Sequence, residues 1–260
     1  MIAEIVSTAP EMIASIFVLF CRIGACLMTT PGFSSQRIPT RIRLFVALTL
    51  TLALTPALTG GKPLTIDGKM LTEGLGVLGG AIFSELLIGG FIGLLGRLFF
   101  LAMEAMMMAA SMSIGMTNPL GAPIDEAESL PAIGVLITAG ATCLIFIMGL
   151  HWELIRGVVA SYSVMPVGTA LRAQTALISY SDTLARTFVS SLRIASPFIV
   201  YGIVANFAVG LLNRLTPSIP VYFISGPFLI TGGMFLLYFI ANTMITAFMA
   251  DFADWAVKGN

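Results

Sequence analysis

Of 260 residues, 57% are hydrophobic and only 10% are charged, well below the roughly 25% of ordinary soluble domains. That leaves too few polar side chains to coat a soluble globule, so lipid or partner subunits must cover the rest. Thirteen Lys plus Arg against thirteen Asp plus Glu give net charge zero, which excludes nucleic-acid binding through a broad basic surface.

The first apolar stretch runs from Met12 to Thr30 and is long enough for a membrane helix, which needs about 20 predominantly apolar residues. Ile23-Gly24-Ala25-Cys26 looks like the end of a lipoprotein signal. Arg22 interrupts the apolar region, however, and Glu4 and Glu11 stand where a signal peptide carries positive charge, so this helix is expected to stay. Thr30-Pro31-Gly32 closes it. A borderline stretch from Ile42 to Leu58 is expected to end its helix at Thr55-Pro56, and Gly60-Gly61-Lys62-Pro63 follows. Leu75 to Ala110 would make one straight helix about 54 Å long, far beyond the roughly 30 Å hydrocarbon core, whereas division at Gly89-Gly90 leaves two segments that are slightly short. Asn118-Pro119 breaks the chain again before Leu130 to Leu150. Val159 to Arg186 holds Pro166, Gly168, Arg172, Asp182 and Arg186 and reads as a surface connection with a short amphipathic helix. Phe188 to Leu212, closed by Thr216-Pro217, and Val221 to Ala250 complete the series. There is no strand-period alternation of useful length. The expected fold is all-α, an integral-membrane type of long antiparallel helices and helical hairpins, with residues 1–260 as one domain.

Loop charge gives no orientation. With the amino terminus outside, Arg37, Arg41, Arg43 and Arg214 fall inside, against Lys62, Lys69, Arg156, Arg172, Arg186 and Lys258 outside. One physical explanation is that partner proteins hold the helices, in place of independent threading through lipid.

Chemistry-bearing motifs are sparse. Cys21, Cys26, Cys143 and His151 lack zinc-ligand spacing, and Cys21 and Cys26 point about 140° apart on a helix, so free thiols and no metal or cofactor are expected. No Walker A, His-Glu-x-x-His or Gly-x-Ser-x-Gly string occurs, and no enzyme is advertised. Gly74-x-Gly76-x-x-Gly79 matches a dinucleotide fingerprint as a string but follows a loop and lacks the downstream acid. Small residues explain it better: Gly76, Gly80 and Ser84 fall at i, i+4 and i+8, and Gly89 and Gly93 repeat the spacing, making a flat face for close helix packing within the chain or against partners. Arg22, Glu85, Arg97, Glu104 and Arg193 stand inside apolar stretches, where a lone charge facing lipid costs at least about 2.5 kcal/mol. Pairing between helices or subunits is favoured over an ion pathway. Met103, Met106, Met107, Met108, Met112 and Met116 crowd one segment, with Met108, Met112 and Met116 on one helical stripe and the other three on a second. Flexible thioethers suit a deformable closure around a passing chain as well as they suit core filling. The irregular run Gly115 to Pro123, followed by Asp125, Glu126 and Glu128, reads either as a loop lining a conduit or as an exposed acidic turn.

Two segments carry a resemblance. Thr30-Pro31-Gly32-Phe33-Ser34-Ser35-Gln36-Arg37-Ile38-Pro39-Thr40-Arg41-Ile42-Arg43 looks like the first loop of the FliR family of type III export-gate subunits. Gly210-Leu211-Leu212-Asn213-Arg214-Leu215-Thr216-Pro217 with Ile219-Pro220-Val221-Tyr222-Phe223-Ile224-Ser225-Gly226-Pro227 is the more specific match. The resemblance implies a non-enzymatic subunit that joins FliP and FliQ in a conical helical gate. This gate lies in the bacterial inner membrane at the centre of the flagellar basal body, beside FlhB and FlhA. Unfolded rod, hook and filament subunits pass through it. It also implies a pore plug and methionine gasket, which here maps to Ser111 through Pro123, with Met108, Met112, Ile114, Met116, Asn118 and Pro119 as its residues. The chain reads Ser111-Met112-Ser113-Ile114-Gly115-Met116 where the family commonly has Gln-Met-Gly-Leu-Ser and aromatics. Arg37, Arg41 and Arg43 are assigned to membrane anchoring or partner contact, and Asn213 and Arg214 to the carbonyls of a helix end before Pro217. The alternatives are the equivalent SctT-type subunit of a virulence injectisome and a small-molecule secondary transporter. The transporter calls for two related halves, and no convincing repeat is present.

Overall fold

The structure, a computed structural model, describes residues 2–34, 38–59, 75–115 and 132–258. All regular structure among them is helical: α1 Ile2–Thr29, α2 Thr40–Thr59, α3 Leu75–Ser113, α4 Ala132–Ile147, α5 Leu150–Val164, α6 Ala173–Leu215 and α7 Val221–Lys258. The all-α expectation holds. Four helices contain stretches long and apolar enough to cross a membrane, within α1, α3, α6 and α7. By the usual rise per residue α3, α6 and α7 reach about 57 to 64 Å, roughly twice the hydrocarbon core.

Several sequence boundaries shift. Leu75 to Ala110 is one helix with Gly89-Gly90 in its interior, since glycine costs only about 1 kcal/mol in a helix and close packing offsets it. Pro56 does not end α2, because in the last turn only one backbone bond is lost. Within the stretch Leu130 to Leu150, α4 stops at Ile147 and α5 begins after Gly149, whose φ of 71° is left-handed, and the two helices are bent by 72°. The expected surface connection from Val159 to Arg186 shrinks to residues 165–172, with helix on both sides.

The single domain expected for residues 1–260 packs as two compact units. The first comprises Met1–Arg97, Gly149–Thr183 and Ala256–Asn260, and the second Leu98–Met148 and Leu184–Trp255. In the first unit, Ile23, Cys26 and Leu27 of α1 meet Ala47 of α2 and Val158 of α5, with Phe20, Leu50, Leu54 and Ile92 packed around them. Cys21, Cys26 and the more exposed Cys143 are free thiols. Thr51 and Thr55 of α2 each return a hydroxyl hydrogen bond to the carbonyl four residues earlier, both at 2.7 Å, and so hide their polarity from an apolar surround. The second unit is built on rings. Phe99 lies 5.5 Å from Phe252 and Phe100 lies 5.4 Å from Phe248, both edge to face at 88°, the geometry the ring quadrupole favours.

Candidate functional site

Two constellations draw on residues marked out by the sequence. In the first unit, Arg22 of α1 and Glu85 of α3 are wholly buried and paired, Nε to Oε2 at 2.5 Å and Nη2 to Oε1 at 2.9 Å. Nη1 donates to the Ser161 hydroxyl at 3.1 Å, and the guanidinium lies 4.0 Å from the centre of the Tyr162 ring. Each nitrogen of the cation therefore has a partner, as a buried charge requires. Arg97 and Arg193 are exposed, and Glu104 is half-buried.

The flat face beside this pair has two behaviours. Gly89 sits against the backbone of Arg22, and Gly93 against the Cys26 carbonyl and the Thr29 side chain, so neither position has room for a Cβ. Thr29 also donates its hydroxyl toward the Gly90 carbonyl at 3.3 Å. Ser84 is buried and bonds the Ala81 carbonyl at 2.9 Å. Gly76 and Gly80, one and two turns earlier, face open space among the described residues. The motif is thus used within the chain at one end and left free at the other.

In the second unit, the carboxyl end of α3 carries the methionines. Met103 and Met107 are buried, while Met108 and Met112 are 43% and 59% exposed. Met106 is half-buried, so among the described methionines Met103, Met106 and Met107 lie on the more buried side and Met108 and Met112 on the exposed one. Ile114 belongs to neither: it is fully buried, its side chain filling the space that Gly233 of α7 leaves open. At 100° per residue Ile114 stands about 200° from Met112, so the two cannot share a surface. Ile114 is thus packed inside the second unit, whereas Met112 is on its surface. Ser113 is gripped as well. Gly202 of α6 lets the Ser113 backbone approach where a Cβ would collide, and the Asn206 amide donates to the Ser113 carbonyl at 2.9 Å and to Gly202 at 2.7 Å. Tyr201 donates to the Leu229 carbonyl at 3.0 Å and bridges α6 to α7 beside Gly232. Sequence reasoning missed Gly202, Gly233, Tyr201 and Asn206, whose only outward signal was small or polar residues within long apolar helices. Met116, Asn118 and Pro119 lie outside the described residues.

Truncating Ile114 leaves a cavity under Gly233. Ile114→Ala is expected to lower stability by about 2–5 kcal/mol, whereas exposed Met112→Ala changes it by no more than about 0.5 kcal/mol. Thermal unfolding of the two variants in detergent compares them directly.

The remaining assignments fall at helix ends. Arg43 spends Nε and Nη2 on the Ile38 carbonyl at 3.1 and 3.0 Å and so braces the entry to α2, while Arg41 is exposed. Arg37 lies outside the described residues. Asn213 and Arg214 stand in the last turn of α6, with Pro217 just beyond. There the Leu212 carbonyl is taken by the amide and hydroxyl of Thr216, each at 2.9 Å. A hydroxyl one residue past the helix reaches back more easily than a long cation within it.

Residues 13–255 match the bacterial export proteins, family 1. The chain belongs to that family. Among its relatives, the flagellar biosynthetic protein FliR of Caulobacter vibrioides is 33% identical over 227 residues, covering 84% of this chain and 85% of the relative. The protein of the same name from Escherichia coli is 24% identical over 83% of this chain and 80% of its own length. That of Aquifex aeolicus is 24% identical over 94% and 91%. The match takes in both constellations, so the buried pair and the methionine segment lie within the part of the chain that is export-family sequence.

Proposed function

We propose that this chain is a core subunit of the flagellar type III export gate. In this reading it forms, with FliP and FliQ, the pore through which unfolded rod, hook and filament proteins leave the cell. Its place is the inner membrane at the centre of the basal body, with FlhB and FlhA as neighbours. The observation that carries the reading is the near full-length match to relatives named as flagellar FliR proteins.

Physical features support it. Helices about twice as long as the hydrocarbon core is thick expose Phe207, Phe223, Phe228, Phe235 and Phe239, and apolar surface on that scale marks contact with other molecules. Exposed Arg97 and Arg193 on these helices need water or an opposite charge, which a neighbouring subunit supplies more readily than lipid. Met108 and Met112 are the gasket residues of this reading. They are flexible side chains on a helix end that Gly202, Asn206 and Gly233 hold firmly.

Deleting the gene is expected to abolish swimming, with restoration by the wild-type chain and no effect on secretion of unrelated effectors. Retained motility with lost effector secretion would replace this reading with the injectisome one. In the assembled complex, M108A/M112A is expected to raise leakage of small solutes across the membrane. Unchanged leakage would remove these two methionines from the seal.

A further inference from the structure

Residues 165–172 form a short strap between α5 and the 43-residue α6. Most of its side chains are exposed or half-exposed, and its other hydrogen bonds are local: Met165 N–H to Ser161, the Thr169 amide and hydroxyl to Pro166, and the Ala176 amide of α6 to the Arg172 carbonyl. Segments with so few anchors open at low free energy. Among the described residues, one hydrogen bond ties the strap to a helix other than the two it joins. The Gly168 amide donates to Glu85 Oε1 at 3.2 Å, the same oxygen that takes Arg22 Nη2. Gly168 has φ of 82°, a left-handed conformation that side-chain-bearing residues adopt only with strain. The strap therefore has a glycine where an amide must be turned toward a buried carboxylate.

We propose that Glu85 is the catch of this strap, and that Arg22 is the positioning residue that holds the carboxylate in place. Arg22 is itself oriented by Ser161 and the Tyr162 ring, which lie one turn before the strap begins. Catch and strap thus share one network: a change in α1 or α3 that moves the ion pair also moves the acceptor from Gly168. A released strap removes this tie just before the start of α6. The network does more than neutralise two buried charges, because Arg22 alone satisfies Glu85 and the extra acceptor capacity is spent on the strap.

Amide hydrogen exchange of the full chain in detergent micelles, followed by mass spectrometry of peptides covering 165–172, tests the catch. Two variants separate it from general stability. R22M/E85M removes the acceptor and both charges while keeping apolar bulk between the helices. G168A keeps the ion pair and strains the turn. Both are expected to speed exchange in 165–172 about tenfold, the effect of losing one hydrogen bond to a charged group, with α1 and α3 peptides unchanged. Unaltered strap exchange in R22M/E85M would overturn the proposal, because the strap would then not depend on Glu85, and so would unaltered exchange in G168A. So would an equal rise across α1 and α3 in that variant, because the strap would then open only with the whole unit. Should R22M/E85M fail to accumulate, E85Q, which keeps the shape of the side chain and weakens the acceptor, is expected to speed exchange in 165–172 as well, and unaltered exchange there would overturn the proposal.

Discussion

Glu85→Ala and Arg22→Ala are each expected to cost about 3–5 kcal/mol, because removing one member of a buried pair strands the other charge without water. That is a large share of the roughly 5–15 kcal/mol that holds a domain together, so both variants should accumulate poorly. Arg22 and Glu85 are each fully buried, and their contacts reach α1, α3, α5 and the strap. Replacing both together, as R22M/E85M, removes the stranded charge and is expected to recover most of the loss. Abundance in membranes and thermal unfolding in detergent measure it. Equal damage from the single and double variants would show that the pair's charge is not what matters.

Gly89→Ala carries the second large effect. A methyl group there lands on the Arg22 carbonyl, which belongs to the backbone and cannot rotate away. The α1 and α3 backbones must separate locally, at an expected cost of about 1–3 kcal/mol or more, and the ion pair at Arg22 is disturbed with them. Gly80→Ala is the control within the same motif, since nothing described lies near that position. In the isolated chain it is expected to be neutral or to stabilise by about 0.5–1 kcal/mol through the better helix propensity of alanine. If G80A behaves well alone yet weakens recovery of partner subunits, that end of the glycine face is a subunit contact.

These contrasts show where sequence reasoning reached and where it stopped. The small-residue spacing from Gly76 to Gly93 was visible as a packing face, but spacing is the same whether the opposing backbone belongs to this chain or to another. Arg22 and Glu85 stood out as charges in apolar helices that needed partners. Their mutual pairing was hidden, because 63 residues separate them and helix period relates only positions a few turns apart. The methionine stripes were correctly separated by angle, and the same angle placed Ile114 away from Met112, a consequence that the motif's contiguity obscured. Pro56 and the short strap were misjudged for a common reason. Composition marks a break in apolar character, whereas a helix ends where its hydrogen bonds end, and α2 and α6 continue through polar or proline-bearing turns.

The most direct test of the central claim, that this chain is surrounded by partner subunits in an export gate, is affinity purification of the tagged full-length chain from flagellated cells in mild detergent. The account predicts recovery of FliP-like and FliQ-like subunits in fixed proportion, in one particle much larger than the chain itself. Recovery of the chain as a lone monomer in lipid, from cells that swim and export normally, would contradict it.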